Sequence, residues 1–333
     1  MIFASNWRQG EERRRALRKE MTKQANNKNI NSKPIIIFPY LGYEHNKKCE
    51  WYFWWTVDRC KKIDPKPIVM LSKDTVIRQH AASFIKDKRS QALEVVQTWS
   101  VDTCQTWLAG WGYVFDNYPE AERIVQIPGD IDYVDRDVEF YDNLEDFIET
   151  TSSDIAIGDF GTGDKYGAKS LVDTYGTYPL LANWFPEISK SIRSLPLHRP
   201  RSEFLNIQTA VLRDLLINNK KFAYEQTLNF LIKSWNYNKT KWRYNISTHA
   251  LGRLSDNKSF RDYGGCVDQI ERIERMISLL WREIKEPKKK SGVSDRKFEE
   301  QYTAFSNEYD SLCAKSKSTM ETARTTIRAL LGV

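Results

Sequence analysis

The chain is poor in the residues that build metal modules, disulfide frameworks and membrane spans. It has five cysteines in 333 residues, Cys49, Cys60, Cys104, Cys266 and Cys313, and no two form a C-x-x-C pair. That spacing argues against a zinc module and a disulfide scaffold and fits a reducing compartment. No apolar run approaches the roughly 20 residues needed to cross a bilayer. The first residues also lack the apolar centre of a signal peptide. A cytoplasmic protein with no membrane span is the expectation. No G-x-G-x-x-G opens the first helix, and no G-x-x-x-x-G-K-[ST] occurs anywhere. A dinucleotide-binding Rossmann enzyme and a P-loop NTPase are both disfavoured.

What is there is a core and a positive charge. The hydrophobic share of 41%, with 11 Trp, suffices for a large buried interior, and the length allows one large domain or two smaller ones. The formal charge of +7 suggests attraction to anions such as phosphates, nucleic acid or anionic lipid. Part of that excess lies at the two ends. Residues 1–33, with Arg13 to Arg15 and the Asn/Lys run from Asn26 to Lys33, read as a basic polar arm. A solvated tail is the reading preferred for the arm, and nucleic acid is not the expected partner.

From Pro34 the chain alternates apolar β-branched runs with helical stretches. PIIIFP over Pro34–Pro39 is a first strand, PIVML over Pro67–Leu71 a second, ALEVVQT over Ala92–Thr98 a third and RIVQI from Arg123 a fourth. Helical patterns fill the gaps at Glu50–Lys61, Thr75–Asp87 and Val101–Asn117. Such alternation implies an α/β, mainly parallel, doubly wound sheet whose ligand crevice lies at the carboxyl ends of the strands. Further on come a helix at Tyr141–Thr151 and a strand at Asp154–Phe160. A glycine-rich loop over Gly161–Gly176 could close over a substrate. A basic segment, Arg199 to Ser202, is suited to an anion. A strand over Phe204–Thr209, a helix over Tyr224–Ser234 and a strand over Lys241–Ser247 follow. After Gly265 only helical periodicity remains, over Val267–Glu286 and Asp295–Leu331. The domain reading is an arm over 1–33, an α/β domain over 34–265 and a helical extension over 266–333. That extension should pack on the domain or on a second copy, since Ile273, Ile277, Leu280 and Trp281 share one helical face.

The fourth strand runs into Pro128, Gly129, Asp130, Ile131 and Asp132. On extended backbone the two carboxylates point to one side, because side chains alternate with period two. Left alone they repel; Mg²⁺ or Mn²⁺ between them and a diphosphate removes that repulsion. A polar turn leaving a strand is the other reading of these residues.

The ordered set of segments resembles a GT-A glycosyltransferase. IIIFPYLGYEH stands where that family has its first strand and nucleotide-contacting loop, and Ser72, Lys73 and Asp74 where a polar group follows the second strand. Asp130-Ile131-Asp132 stands for its D-x-D, DIAIGDF for a following strand, EFLNIQTAVLRDLL for an acceptor-side segment and YEQTLNFL for an acidic helix. Within the family the mannosylglycerate synthases are most similar, through Phe38-Pro39-Tyr40 to His45 and through His249 in STHALGRL. The resemblance covers about residues 34 to 285. It implies a GT-A-type sheet and metal-dependent transfer of a sugar from a nucleoside diphosphate sugar to a small hydroxyl acceptor. It implies Asp130, Asp132 and His249 as ligands to Mn²⁺ or Mg²⁺. Pro39, Tyr40, Glu44, Ser72, Lys73, Asp74 and Arg253 would contact the nucleotide. Glu225, with Gln226 as its rival, would position or deprotonate the acceptor. His45, His80 and His198 read as structural or exposed. The segment after His249, Ala250 to Arg253, reads as a loop able to fold over the diphosphate. Two rivals stay open: a nucleotidyltransferase, for which Tyr40-Leu41-Gly42 is a poor triphosphate loop, and a non-catalytic nucleotide- or nucleic-acid-binding protein on the same fold. A homo-oligomer is compatible with all three.

Overall fold

The strand β1, Ile35–Tyr40, shows how the sheet is made. Its side chains alternate between two cores: Ile37 enters one, and Ile36, Phe38 and Tyr40 enter the other. A strand buried on both faces needs an apolar residue at almost every position, which is why IIIF is a continuous run. Pro39 is tolerated because of the ladder on one side. Ile37 accepts a hydrogen bond on its carbonyl from the Ile127 N–H of the neighbouring strand. Pro39, two residues on, faces the same way, but the pairing with that neighbour covers only Ile35 to Ile37. Its missing N–H therefore costs no rung.

The structure is a computed structural model that describes residues 34–40, 47–72, 84–98, 103–129, 132–133, 138–162, 171–217, 225–255, 262–289 and 291–333. The basic arm, most of the expected helix at Thr75–Asp87 and much of the glycine-rich segment lie outside them. Nine further strands follow β1: β2 Ile68–Ser72, β3 Glu94–Thr98, β4 Arg123–Gln126, β5 Asp132–Tyr133, β6 Ile155–Thr162, β7 Leu205–Gln208, β8 Trp235–Asn236, β9 Lys241–Trp242 and β10 Ile246–Ser255. Eight form one sheet in the order β3-β2-β1-β4-β7-β6-β10-β5, and β8 pairs with β9 alone. The sheet is mainly parallel; β7 runs antiparallel between β4 and β6, and β5 antiparallel to β10. This is the helix-flanked, mainly parallel sheet that the alternation implies, in the GT-A-type form that the resemblance implies.

One face is covered by α1 Lys47–Cys60 and α3 Val138–Glu149. Phe53, Trp54, Val57 and Cys60 from α1, and Phe140, Leu144, Phe147 and Ile148 from α3, are buried there at helical spacing. The other face carries α2 Thr103–Asn117, α4 Tyr178–Trp184, α5 Pro186–Arg193, α6 Thr209–Ile217, α7 Gln226–Lys233, α8 Tyr263–Lys285 and α9 Asp295–Leu331. Pro186 opens α5, so the amphipathic stretch from Tyr178 is two helices rather than one. The helices from Tyr263 onward belong to this second core: Ile270, Ile273, Ile277, Leu280 and Trp281 of α8 join Phe305, Ala323 and Ile327 of α9 in it. Part of the glycine-rich segment is ordered too. Val172–Thr177 is a π-helical turn, and a Cβ on Gly176 would lie 2.7 Å from Ile270 Cγ1, so glycine there lets α8 approach. Among the described residues, no helix is long and apolar enough to cross a membrane.

Gly158, in the middle of β6, is the tightest contact between strand and core. A Cβ there would stand 2.5 Å from Leu251 Cδ1 and 2.7 Å from Phe204 Cβ. Gly158→Ala is expected to destabilise by about 1–3 kcal/mol through overpacking, measured as a lower urea midpoint with an unchanged slope. An unchanged midpoint would mean that Leu251 and Phe204 move aside without cost.

Candidate functional site

The carboxyl ends of β1, β2, β4, β6 and β10 meet along one edge, where an open α/β sheet places its ligand. Asp132 is on that edge, but not as the end of β4. It opens β5 on the far side of the sheet, where Asp132 pairs with Ser255 and Tyr133 with Leu254 at the tip of β10. The six residues from Gln126 to Asp132 span at most about 20 Å, and four strand spacings laid flat come to about 19 Å. Gln126 is level with Thr248 of β10 through Leu205 and Ile157, seven residues before Ser255, so on a flat sheet Asp132 would lie beyond that reach, and the tip of β10 must curl back toward β4. A bulge between Ala250 and Arg253 supplies the bend, with Gly252 at φ +94°, a left-handed conformation that glycine takes without strain. The segment Ala250 to Arg253 is thus strand and bulge, not the expected loop. The sequence signal was ambiguous because a glycine marks either.

His249 does not meet Asp132. It lies six residues before Ser255 on β10, opposite Gly158, which is about 20 Å along a straight strand, less what the bulge removes. Its ring lies against Phe147 of α3, centroids 5.8 Å apart, and Nε2 is 3.1 Å from the Ser247 hydroxyl, two residues back toward the amino end. Burial holds its pKa below the ordinary value, so the ring is neutral at pH 7. On this register six residues of β10 separate His249 from the partner of Asp132, and its ring is engaged with Phe147 and Ser247. Among the described residues, no three His, Cys, Asp or Glu side chains gather as a metal site.

The expected nucleotide contacts divide. Tyr40 is 4% exposed and committed to the core, its ring 5.5 Å from Phe53 and 4.5 Å from Phe84. Its aromatic ring continues the strand's apolar alternation, which outweighs any loop role. Pro39 is buried at the same strand end. Ser72 ends β2 opposite Thr98, and Arg253 pairs with Gly161 beyond the bulge; both are placed by backbone at the carboxyl edge. Glu44, Lys73, Asp74 and Asp130 lie outside the described residues.

The segment Leu197 to Phe204 is tied to β6 and to an ion network beside it. Asp159 of β6, 5% exposed, accepts from the His198 N–H at 2.9 Å and the Arg199 N–H at 3.0 Å. Arg199 donates to the Phe160 carbonyl, and the Ser202 hydroxyl to the Gly158 carbonyl. Arg201 is buried, and its guanidinium reaches Asp173 Oδ1 at 2.5 Å, Gln269 Oε1 at 3.0 Å and Glu225 Oε1 at 3.4 Å. Burial alone would lower the Arg201 pKa, but the charges of Asp173 and Glu225 outweigh it and raise it. The basic segment that suggested an anion site is therefore satisfied internally, by two carboxylates 28 residues before it and 24 after it. Glu225 itself has left-handed backbone, φ 62° and ψ 59°, just before α7. A non-glycine residue held there is costly and is kept by its surroundings, here the Arg201 pair and the Asn229 N–H bonded to its carbonyl. Gln226, its rival, is buried in α7.

No protein-family model and no curated protein matches the sequence. Among solved structures, one described as the crystal structure of a mycobacterial protein is similar, with 13% identity, a TM-score of 0.52 and coverage of 79% of this chain and 78% of that one. At that identity the likeness shows the fold alone. Looser overlaps are with mannosyl-3-phosphoglycerate synthase from Rubrobacter xylanophilus, at 11% identity, a TM-score of 0.43 and 84% and 82% coverage. Another is S. aureus TarS residues 1–349 in complex with UDP-GlcNAc, at 15%, 0.38, and 84% and 73%. Neither carries an argument about this chain's chemistry.

What the edge can do chemically follows from its own groups. At one side stands Asp132 on a short edge strand. A buried ion network on the segment tied to β6 presents Glu225, with 14% of its side chain exposed.

Proposed function

We propose that the protein transfers a sugar from a nucleoside diphosphate sugar to a hydroxyl of a small acceptor, with Asp130 and Asp132 as the carboxylates that hold Mn²⁺ or Mg²⁺. The observation that carries this reading is the pairing of Asp132 with Ser255, which sets the backbone of Asp132 at the carboxyl edge of a mainly parallel sheet. The donor set suits a hard cation: two carboxylates leave room for water and phosphate oxygens. When bound, the ion would supply positive charge beside the leaving diphosphate. Ser72, Lys73, Asp74, Glu44 and Arg253 would contact the nucleotide, with Pro39 buried near the end of β1. Glu225, fixed by Arg201, would orient the acceptor by accepting a hydrogen bond from a hydroxyl other than the attacking one. The preformed ion network means that no side chain has to reorganise when the acceptor arrives.

Calorimetry with UDP and GDP, with and without Mn²⁺, tests the proposal. Wild type is expected to bind one of them in a metal-dependent way. Asp132→Asn keeps the shape, removes the charge and is expected to weaken that binding at least about tenfold, while the melting temperature without ligand stays the same. Unchanged metal-dependent affinity in Asp132→Asn would show that the triplet is only a turn.

A further inference from the structure

His198 reads from sequence as a structural or exposed residue; it is exposed, and it is also held by a buried carboxylate. Its Nδ1 is 2.7 Å from Asp159 Oδ2, while its side chain is 84% exposed. The Asp159 carboxylate cannot turn away, because Oδ2 also accepts from the His198 N–H and Oδ1 accepts from the Arg199 N–H. A carboxylate that already accepts two backbone N–H groups can only accept from the ring, so Nδ1 carries the hydrogen and Nε2 keeps its lone pair. The segment that holds the ring is tied down on both sides. The Tyr178 hydroxyl donates to the Leu197 carbonyl at 2.9 Å, and Arg201, three residues on, is locked in the Asp173–Glu225 network. The result is an imidazole with a fixed tautomer, fixed orientation and one nitrogen open to solvent.

Its place in the sheet is at the same edge. Asp159 stands three residues before the end of β6, about 10 Å from that tip, and Thr162 lies opposite Leu254, which lies opposite Tyr133. Two strand spacings, also about 10 Å, therefore separate the tip of β6 from the strand that begins with Asp132. We infer that Asp159 and His198 form a proton-accepting dyad, in which His198 Nε2 takes the proton of the acceptor hydroxyl while Asp159 holds the ring; this rests on the glycosyltransferase reading above. In the step, the acceptor oxygen forms a bond to the anomeric carbon as its O–H proton passes to Nε2. The bond from that carbon to the diphosphate oxygen breaks, its electron pair leaving with the diphosphate. His198 becomes a cation paired with Asp159 and returns its proton to water. Glu225 orients the acceptor through another hydroxyl and His198 removes the proton, both groups being held through one short segment of chain.

Two measurements on the full chain decide it. Long-range ¹H–¹⁵N spectra of histidine-labelled protein should show His198 as the Nδ1–H tautomer; an Nε2–H tautomer overturns the dyad. Release of UDP or GDP from UDP-glucose or GDP-mannose, with Mn²⁺ and with water or glycerol as acceptor, gives the second. His198→Gln should lower kcat about 100- to 10,000-fold with the donor KM changed by less than about threefold, and free imidazole should restore part of the activity of His198→Ala. A kcat within about threefold of wild type in His198→Gln overturns the assignment. So does a rise in donor KM at constant kcat, which a merely structural segment would give. Because the side chain is exposed, these variants should fold. Wild-type protein that releases no nucleotide from either donor overturns the transfer reading and the role of Nε2 in it, while the tautomer still reports the dyad.

Discussion

Arg201→Met is expected to destabilise the protein by about 3–5 kcal/mol, read as a fall in the urea midpoint. The Arg201 side chain is 7% exposed and is shared between Asp173, at 4%, and Glu225, at 14%. Methionine fills the same space without charge, so two carboxylates are left facing each other in a dry setting with no cation between them. Among the described residues Asp173 would keep the Thr177 hydroxyl alone, 2.9 Å away. Arg201→Lys should recover little, because a point charge cannot serve Asp173, Glu225 and Gln269 at once as a planar fork does. Adding Asp173→Asn to Arg201→Met should return part of the loss, and the double-mutant cycle should give a coupling of more than about 1 kcal/mol. A loss below about 1 kcal/mol for Arg201→Met would show that water reaches the network and that the pair behaves as a surface one.

The second large effect is at the junction of α8 and α9. Trp281 is 2% exposed, stacks on Phe305 with centroids 5.4 Å apart, and also meets Trp184 at 5.7 Å and Tyr309 at 5.9 Å. Polar links run beside it: the Trp184 indole N–H donates to the Ser316 hydroxyl, which donates to Glu274, and Asn183 donates to Thr319. Trp281→Ala removes the ring common to three helices and should cost about 3–5 kcal/mol, with Trp281→Phe costing much less. Calorimetry should show one transition for wild type and for the variant, since α8 and the sheet share a core. A separate early transition in Trp281→Ala would mean that the two terminal helices form a unit of their own.

These predictions rest on features that the sequence carried unequally. The buried strands were legible because β-branched runs such as IIIF and IVML suit a doubly covered sheet and little else. The helices of the second half were legible from spacing, as with Ile273, Ile277, Leu280 and Trp281. The direction of β7 was not, since an antiparallel strand buried on both faces has the same composition as a parallel one. Tyr40 was read as a ligand contact because it leads into a polar loop, yet its own side chain follows the strand's alternation into the core. Arg201 was read as part of an anion site because the segment Arg199 to Ser202 is basic; its partners are Asp173 and Glu225, which no local pattern links to it.

The sequence by itself determined the strand–helix alternation and the apolar faces, because each depends on residues within one or two turns of one another. Only the tertiary structure decided that Asp132 starts an edge strand on β10, that His249 turns toward Ser247 and away from it, and that Asp159 fixes the ring of His198. Each of these is a matter of register between segments 39 to more than 100 residues apart. Register is set by how whole faces pack and by one bulge at Gly252, and a shift of one residue in it would send every side chain to the other face.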